Sequence, residues 1–314
     1  MKHALMIAAM VLVAAPITSL VSSHMAVAQQ GTRAQTTLYG GIGRGSTDRG
    51  ELISINQTSA LGTFVGAGAS DPVVGITGLA FDTSGQLFAA TINAPVDAAI
   101  VRTALIRLNP ITGAQNALIG TIKLANNTPI VITDLAIQPE SDVLFGIGIN
   151  PSNFQTSLYR IDSGTAIATL VGPTDTEVDA IAFAPDGTLY GEAAIFDETG
   201  LVFLNGFLIT IDPATGATLT SAGPFSTHLG GMAVRPTDGV IFASGGGPSD
   251  IYTVSSNGVL TFLGLTGFGG VGDIAFTPLP TAKNQCKDEG WRRFNFPFSF
   301  KTQGDCIQFV NTGK

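Results

Sequence analysis

Short apolar runs alternate with polar, glycine-bearing turns along most of the chain, and one phrase recurs five times. It reads "TGLAFDTSGQLFAAT" from Thr77, "TDLAIQPESDVLFGI" from Thr133, "DAIAFAPDGTLYGE" from Asp179 and "GGMAVRPTDGVIFAS" from Gly230, with a half copy "GDIAFTP" from Gly272. Each copy predicts a strand, a tight turn and a second strand. A second phrase is interleaved with it: "LISINQTSA" at Leu52, "LIRLNPITGA" at Leu105, "LYRIDSGTA" at Leu158, "LITIDPATGA" at Leu208 and "IYTVSSNGV" at Ile251. There an alternating strand runs into an Asn/Asp, Pro and Gly turn and then a short apolar strand. Four short strands in a repeat of roughly 40 to 55 residues is the pattern of a β-propeller blade.

The ends of the repeat region set the blade number. "LYGGI" from Leu38 matches the second strand of a blade, and "GDIAF" from Gly272 matches the first. If they complete one sheet, the chain is an all-β propeller of five four-stranded blades over residues 38–278, and two exposed sheet edges disappear. A sixth, degenerate blade within a long loop is the rival. Ala80, Ala136, Ala182, Ala233 and Ala275 hold one equivalent position in the first strands, where crowding near an axis requires a small side chain. They are expected to be architecture.

Residues 1–28 read as a cleaved secretory signal, with Lys2, an apolar run from Ala4 to Ala15 and "AVA" before Gln29. The run is short for a bilayer span, which needs about 20 residues, and no later stretch is long and apolar enough. A secreted protein, extracellular or periplasmic, without a membrane span is expected. Residues 29–37 form an N-terminal linker. Of the mature chain, residues up to Ala282 carry 20 acids against 8 bases, whereas Lys283 to Lys314 carries 6 bases against 3 acids. An acidic body makes nucleic acid an unfit partner, because phosphate needs a basic surface.

Candidate chemistry is sparse. His3 and His24 leave with the signal, so His228 is alone in the mature chain; a histidine-rich metal site is excluded, and any serine nucleophile has that one imidazole as base. Asp134 and Asp273 fall two residues before the repeated alanine and Asp179 three before it. Around a channel, these carboxylates gather at one mouth, as oxygen ligands for a cation such as calcium or as a glycosidase-like acid and base. Alternatively each accepts hydrogen bonds from loop amides. Glu192 replaces Gly41, Ala90, Ile147 and Ser244 of the other blades, so it must be paired, channel-facing or shifted in pKa. With Asp179 it makes the candidate catalytic pair.

Beyond the linker at residues 279–285 lies "CKDEGWRRFNFPFSFKTQGDC". Cys286 and Cys306 are the only cysteines, and an isolated pair in an exported chain reads as a disulfide rather than a metal or redox pair. This tail, residues 286–314, concentrates Trp291, Arg292, Arg293 and four phenylalanines, the composition of an interface hot spot. The same rings could instead pack on the propeller base as a cap.

The units "FAPDGTLYG" and "LITIDPATGA" resemble repeats of secreted bacterial β-propellers of the NHL and YVTN kind, and of propeller domains sharing the Asp-Pro-x-Thr-Gly turn, over about three quarters of the chain. The tail resembles a cysteine-bracketed segment that ends many exported bacterial proteins, matching in "QCK", "GW", "QGDC" and "FV". The resemblance implies a fold and leaves the chemistry open, since propellers host binding, scaffolding and several reactions. Quinone-type docking tryptophans are missing, because Trp291 lies outside the repeats, and the acid and asparagine set of calcium lactonases has no counterpart. The function expected is non-enzymatic binding, with ligand contacts from Asp134, Asp179, Asp273, His228, Trp291, Arg292 and Arg293. The partner is a protein or glycan at the cell surface or outside the cell, with no cofactor unless calcium. A glycan hydrolase or a calcium-stabilised scaffold is the alternative.

Overall fold

The computed structural model describes residues 35–69, 75–92, 102–149, 155–200, 202–247 and 249–314; the expected signal at 1–28 and most of the expected linker after it lie outside them. Five sheets form a five-bladed β-propeller. From the axis outward, the first blade runs Val271–Phe276, Leu38–Ile42, Leu52–Ile55 and Gly62–Gly66. The second runs Gly75–Phe81, Leu87–Ile92, Thr103–Leu108 and Gln115–Thr121. The third is Val131–Ile137, Leu144–Ile149, Thr156–Ile161 and Ile167–Pro173, with the two-residue strand Lys123–Leu124 added in parallel at its rim. Glu177–Phe183, Leu189–Phe196, Phe203–Ile211 and Thr218–Phe225 make the fourth; Leu229–Val234, Ile241–Gly245, Asp250–Val254 and Leu260–Leu265 make the fifth.

The two ends of the repeat region do share a sheet. Leu38 pairs with Phe276, Tyr39 with Ala275 and Gly40 with Ile274, in antiparallel register. The wheel is closed by main-chain hydrogen bonds between residues more than 230 positions apart.

The interleaved phrase folds by local chemistry. Asn56, Asn109, Asp162 and Asp212 each turn a side-chain oxygen onto amides two or three residues ahead, at 2.8 to 3.1 Å. These Asx turns join the third strand of a blade to the fourth. The Thr165 hydroxyl together with these amides holds the Asp162 carboxyl below its ordinary pKa, and the Ala214 amide with the Thr215 hydroxyl does the same at Asp212.

Five buried apolar clusters lie between adjacent blades; that between the second and third, for example, packs Phe88 and Leu105 against Leu135 and Tyr159. The repeated alanines are 4 to 6 % exposed, small because the five first strands neighbour one another around the hub. No helix of the described residues is long and apolar enough to cross a membrane.

The tail folds onto one face of the wheel. Cys286 and Cys306 form a disulfide. The helix α1, Gln303–Thr312, starts at Thr302, whose hydroxyl accepts from the Asp305 amide while the Asp305 carboxylate accepts from the Thr302 amide, each at 3.1 Å. It ends at Gly313 in the left-handed conformation.

Candidate functional site

Three levels along the axis carry the chemistry. In the hub, Asp134 and Asp273 have no exposed surface, and they are hydrogen-bonded to one another. Each also bridges to the first strand of the next blade: Asp134 accepts from the Ile181 amide at 2.7 Å and its neighbour Leu135 at 2.6 Å, while Asp273 accepts from Leu79 and, at 2.6 Å, from Ile274. A Cβ at Gly231, one of the equivalent positions, would fall 2.2 Å from an Asp273 oxygen. Burial pushes both carboxyls far up; the Asp134 charge adds to the rise at Asp273, and four amides work against it. These acids fasten the hub. They do not line a mouth with Asp179, as the sequence had offered, because their oxygens are taken by main-chain donors.

At one mouth the structure brings together Asp179, Glu192 and His228. Each first strand carries a β-bulge just before its hub position, and Asp179 stands in the bulge of the fourth blade, between Val178 and Ile181. A bulge re-aims a side chain out of the strand's alternation. Here the Asp179 carboxylate turns to His228 on the connection entering the fifth blade, and Oδ2 lies 2.9 Å from Nε2. Glu192, on the second strand, reaches the same nitrogen from below: Oε2 lies 3.8 Å away, while Oε1 accepts from the Leu229 amide at 3.0 Å. The two carboxylate oxygens thus stand no farther apart than these two spans laid end to end, about 6.7 Å.

Phe196 and Phe203 pack against the imidazole with ring centroids 5.6 and 5.3 Å away. Its other edge lies on Gly246, where a Cβ would meet Nδ1 at 2.3 Å. The ring is therefore held on three sides. The His228 and Asp179 side chains keep 28 and 20 % of their surface exposed, and Glu192 none.

Burial moves the Glu192 carboxyl up to about 8, against the pull of His228 and the Leu229 amide. Its Oε2 has no hydrogen-bond partner. Burial disfavours charge on His228, but the Asp179 hydrogen bond and the fields of Glu192, Asp179 and Glu177 outweigh it, and its pKa is raised. Glu177, at the exposed start of the same strand as Asp179, is also raised, by partial desolvation of its carboxyl and by Asp179, against the pull of His228.

The opposite mouth holds an apolar pocket of about 120 Å³, open to solvent, ringed by the five alanines and Pro139, Pro185, Pro236 and Pro278, with Leu279, Thr281 and Gln285 of the linker on its wall. Farther out, Phe296 stacks on Phe81 at 6.2 Å, Arg293 pairs with Asp142, and Asn284 donates to Glu140 at 3.2 Å. Phe294, Phe300 and Phe309 form the tail's own aromatic core. Arg292 lies over the Trp291 ring at 4.9 Å and stays exposed. Of the tail's rings, Phe296 packs on the wheel and the other phenylalanines pack on one another, which leaves Trp291 and Arg292 as its outward-facing candidates.

Among the described residues no group of three or more His, Cys, Asp or Glu side chains is arranged to hold a metal ion. The sequence paired Asp179 with Glu192 and singled out His228 apart from them, but carried no signal that the imidazole stands between the two carboxylates. Glu177, Phe196 and Phe203 escaped it altogether, since a bulge and a rim hairpin placed them. Asp142, which receives Arg293 and the amide and hydroxyl of Thr83, was equally silent; its φ of 54° belongs to a turn residue.

No protein-family model matches the chain, and comparison with curated proteins found no match. Among solved structures it is similar to a chain of a nidogen/laminin complex, at 10 % identity over 77 % of this chain and 98 % of that one, with a TM-score of 0.49. It is similar to a gluconolactonase from Xanthomonas campestris at 17 % identity over 77 and 80 % of the two chains, with a TM-score of 0.42. Regucalcin, a calcium-binding protein from Agrobacterium tumefaciens, follows at 16 % identity over 78 and 82 %, with a TM-score of 0.40. Likenesses at this level concern the fold alone.

Proposed function

We propose that the chain is an exported, non-enzymatic β-propeller binding module that takes its ligand, a protein or glycan at the cell surface or outside the cell, at the His228 mouth. The observation that carries this reading is the division of the acids. Asp134 and Asp273 are sealed in the hub on main-chain amides, and Glu192 is sealed beneath His228 with one oxygen on Leu229. A hydrolase needs both members of its carboxyl pair within reach of the scissile bond. Only Asp179 of the proposed pair meets solvent, and it is committed to His228. What faces outward instead is a polar rim, His228 with Asp179 and Glu177, beside Phe196 and Phe203: a few fixed polar groups against an aromatic wall. The tail docks on the far face through Phe296 and Arg293, and the charged rim groups stand on the His228 side, where the ligand is placed. Export rests on the leader at residues 1–28 and agrees with the disulfide.

The test is an unbiased glycan and protein screen of the chain from Gln29, run beside His228→Ala and beside a chain ending at Ala282. Capture lost in His228→Ala and kept without the tail supports the rim. Capture that depends on the tail alone moves the site to Trp291 and Arg292. Hydrolysis of a bound glycan, abolished by Asp179→Asn, would return the chain to the enzymes.

A further inference from the structure

The rim cluster is built across a seam. Asp179 and Glu192 belong to the fourth blade, and His228 lies on the connection that enters the fifth, one residue before Leu229. Two bonds cross there: His228 Nε2 to Asp179 Oδ2 at 2.9 Å, and the Leu229 amide to Glu192 Oε1 at 3.0 Å. Both end on carboxylates, and one of those is completely buried with its second oxygen unpartnered and 3.8 Å from the imidazole. We infer that protonated His228 is a latch that fastens the fourth blade to the fifth at this mouth, and that loss of its proton loosens the ligand site. The inference rests on the binding reading above and concerns how that same site is regulated.

The charges around the imidazole set the direction. Glu177 and Asp179 face it from the first strand of the fourth blade and Glu192 from the second. On the fifth-blade side, Asp250 holds the Tyr252 hydroxyl at 2.8 Å, and that hydroxyl also bonds Thr227, next to His228. The groups surrounding the ring are therefore acids. With His228 protonated, a cation stands between Asp179 and Glu192. With His228 neutral and Glu192 ionised, a buried carboxylate faces Asp179 with no cation between them, and an unpaired buried charge is strongly unfavourable. A histidine raised in the folded state stabilises below its unfolded value, about 6.5, and that contribution is lost as pH rises through the folded value. Glu192, raised to about 8, likewise gives up its proton as pH rises. The latch is thus shut in acid and released in base. Phe196 and Phe203, which grip the ring, move with it when it leaves.

One set of measurements needs no ligand. His228 is the sole histidine after the leader, so its imidazole resonances titrate without overlap. They are expected to titrate above 6.5, and in Glu192→Gln to move back toward that ordinary value. Hydrogen exchange, corrected for intrinsic rates, is expected to quicken at residues 226–230 as pH rises through the His228 transition. Other seams, such as that between the second and third blades, should stay constant. His228→Gln should make the seam exchange fast and independent of pH. A His228 that titrates at or below 6.5, or a seam whose exchange ignores its titration, overturns the latch. A ligand bound at the rim with no pH dependence also overturns it while leaving the binding reading intact; a working latch on a chain whose ligand binds elsewhere does the reverse.

Discussion

Asp134 and Asp273, 139 positions apart in the chain, are hydrogen-bonded to each other in the hub, and each ties its own first strand to the first strand of the next blade. Two of the five hub junctions are thus carboxylate bridges. Where the neighbours carry Gly78, Ala180 and Gly231 instead, there is room for them.

Because both carboxyls are raised, the folded chain keeps protons that the unfolded chain releases near pH 3.9. Stability therefore falls as pH climbs from there through the folded values. Asparagine at 273 retains an acceptor and offers Asp134 a donor that cannot ionise. Melting temperatures between pH 6 and 9 should fall less steeply in Asp273→Asn than in the parent. Asp273→Ala, which strands the Leu79 and Ile274 amides, should cost about 2 to 4 kcal/mol at the acid end of this range and less toward pH 9.

Ring closure has its own test at Tyr39. This residue sits in an interior strand, paired with Ala275 on one side and Ser54 on the other, and its hydroxyl donates to the Pro110 carbonyl at 2.9 Å. Tyr39→Phe removes one hydrogen bond and should cost about 1 kcal/mol. Tyr39→Pro breaks the ladder that joins the chain ends, and denaturant unfolding should report a loss several times larger.

Reduction of Cys286–Cys306 frees a tail segment closed over a sequence separation of 20. By the entropy of its unfolded form, roughly 3 kcal/mol is lost. Exchange in α1 should accelerate on reduction, or in a Cys286→Ser/Cys306→Ser chain, while the blades keep their protection.

Phe296 is the tail's aromatic contact with the wheel, stacked on Phe81 and resting on Gly85, where a Cβ would lie 2.4 Å from the Phe296 Cβ. Phe296→Ala should weaken the cap by about 1 to 2 kcal/mol. Limited proteolysis should then release fragments from residue 283 onward at a rate the parent does not show.

The wheel was legible because its determinants are local and repeated: alternation, Asx turns and one small residue per first strand. Closure could be read because two half-phrases at the ends added up to one. The rim was harder. Asp179 acquires its direction from a bulge, which leaves no period in the sequence, and His228 meets Glu192 across 36 residues and a blade boundary. Glu192 announced itself only as an acid among apolar equivalents, and that oddity proved to be burial beneath an imidazole. For Asp134 and Asp273 the sequence leaves a place at the mouth and bonding to amides both open, because position along a strand says where a side chain begins and not which donors surround it. The tail's rings were ambiguous for the same reason: composition alone does not separate a cap from a hot spot.

The most direct measurement is a protection footprint of the chain bound to whatever ligand the screen captures. Protection gathered on residues 177–179, 196–203 and 226–230, with the tail unchanged, is the expected result. Protection confined to Trp291 and Arg292, or to the outermost strands, would contradict the account.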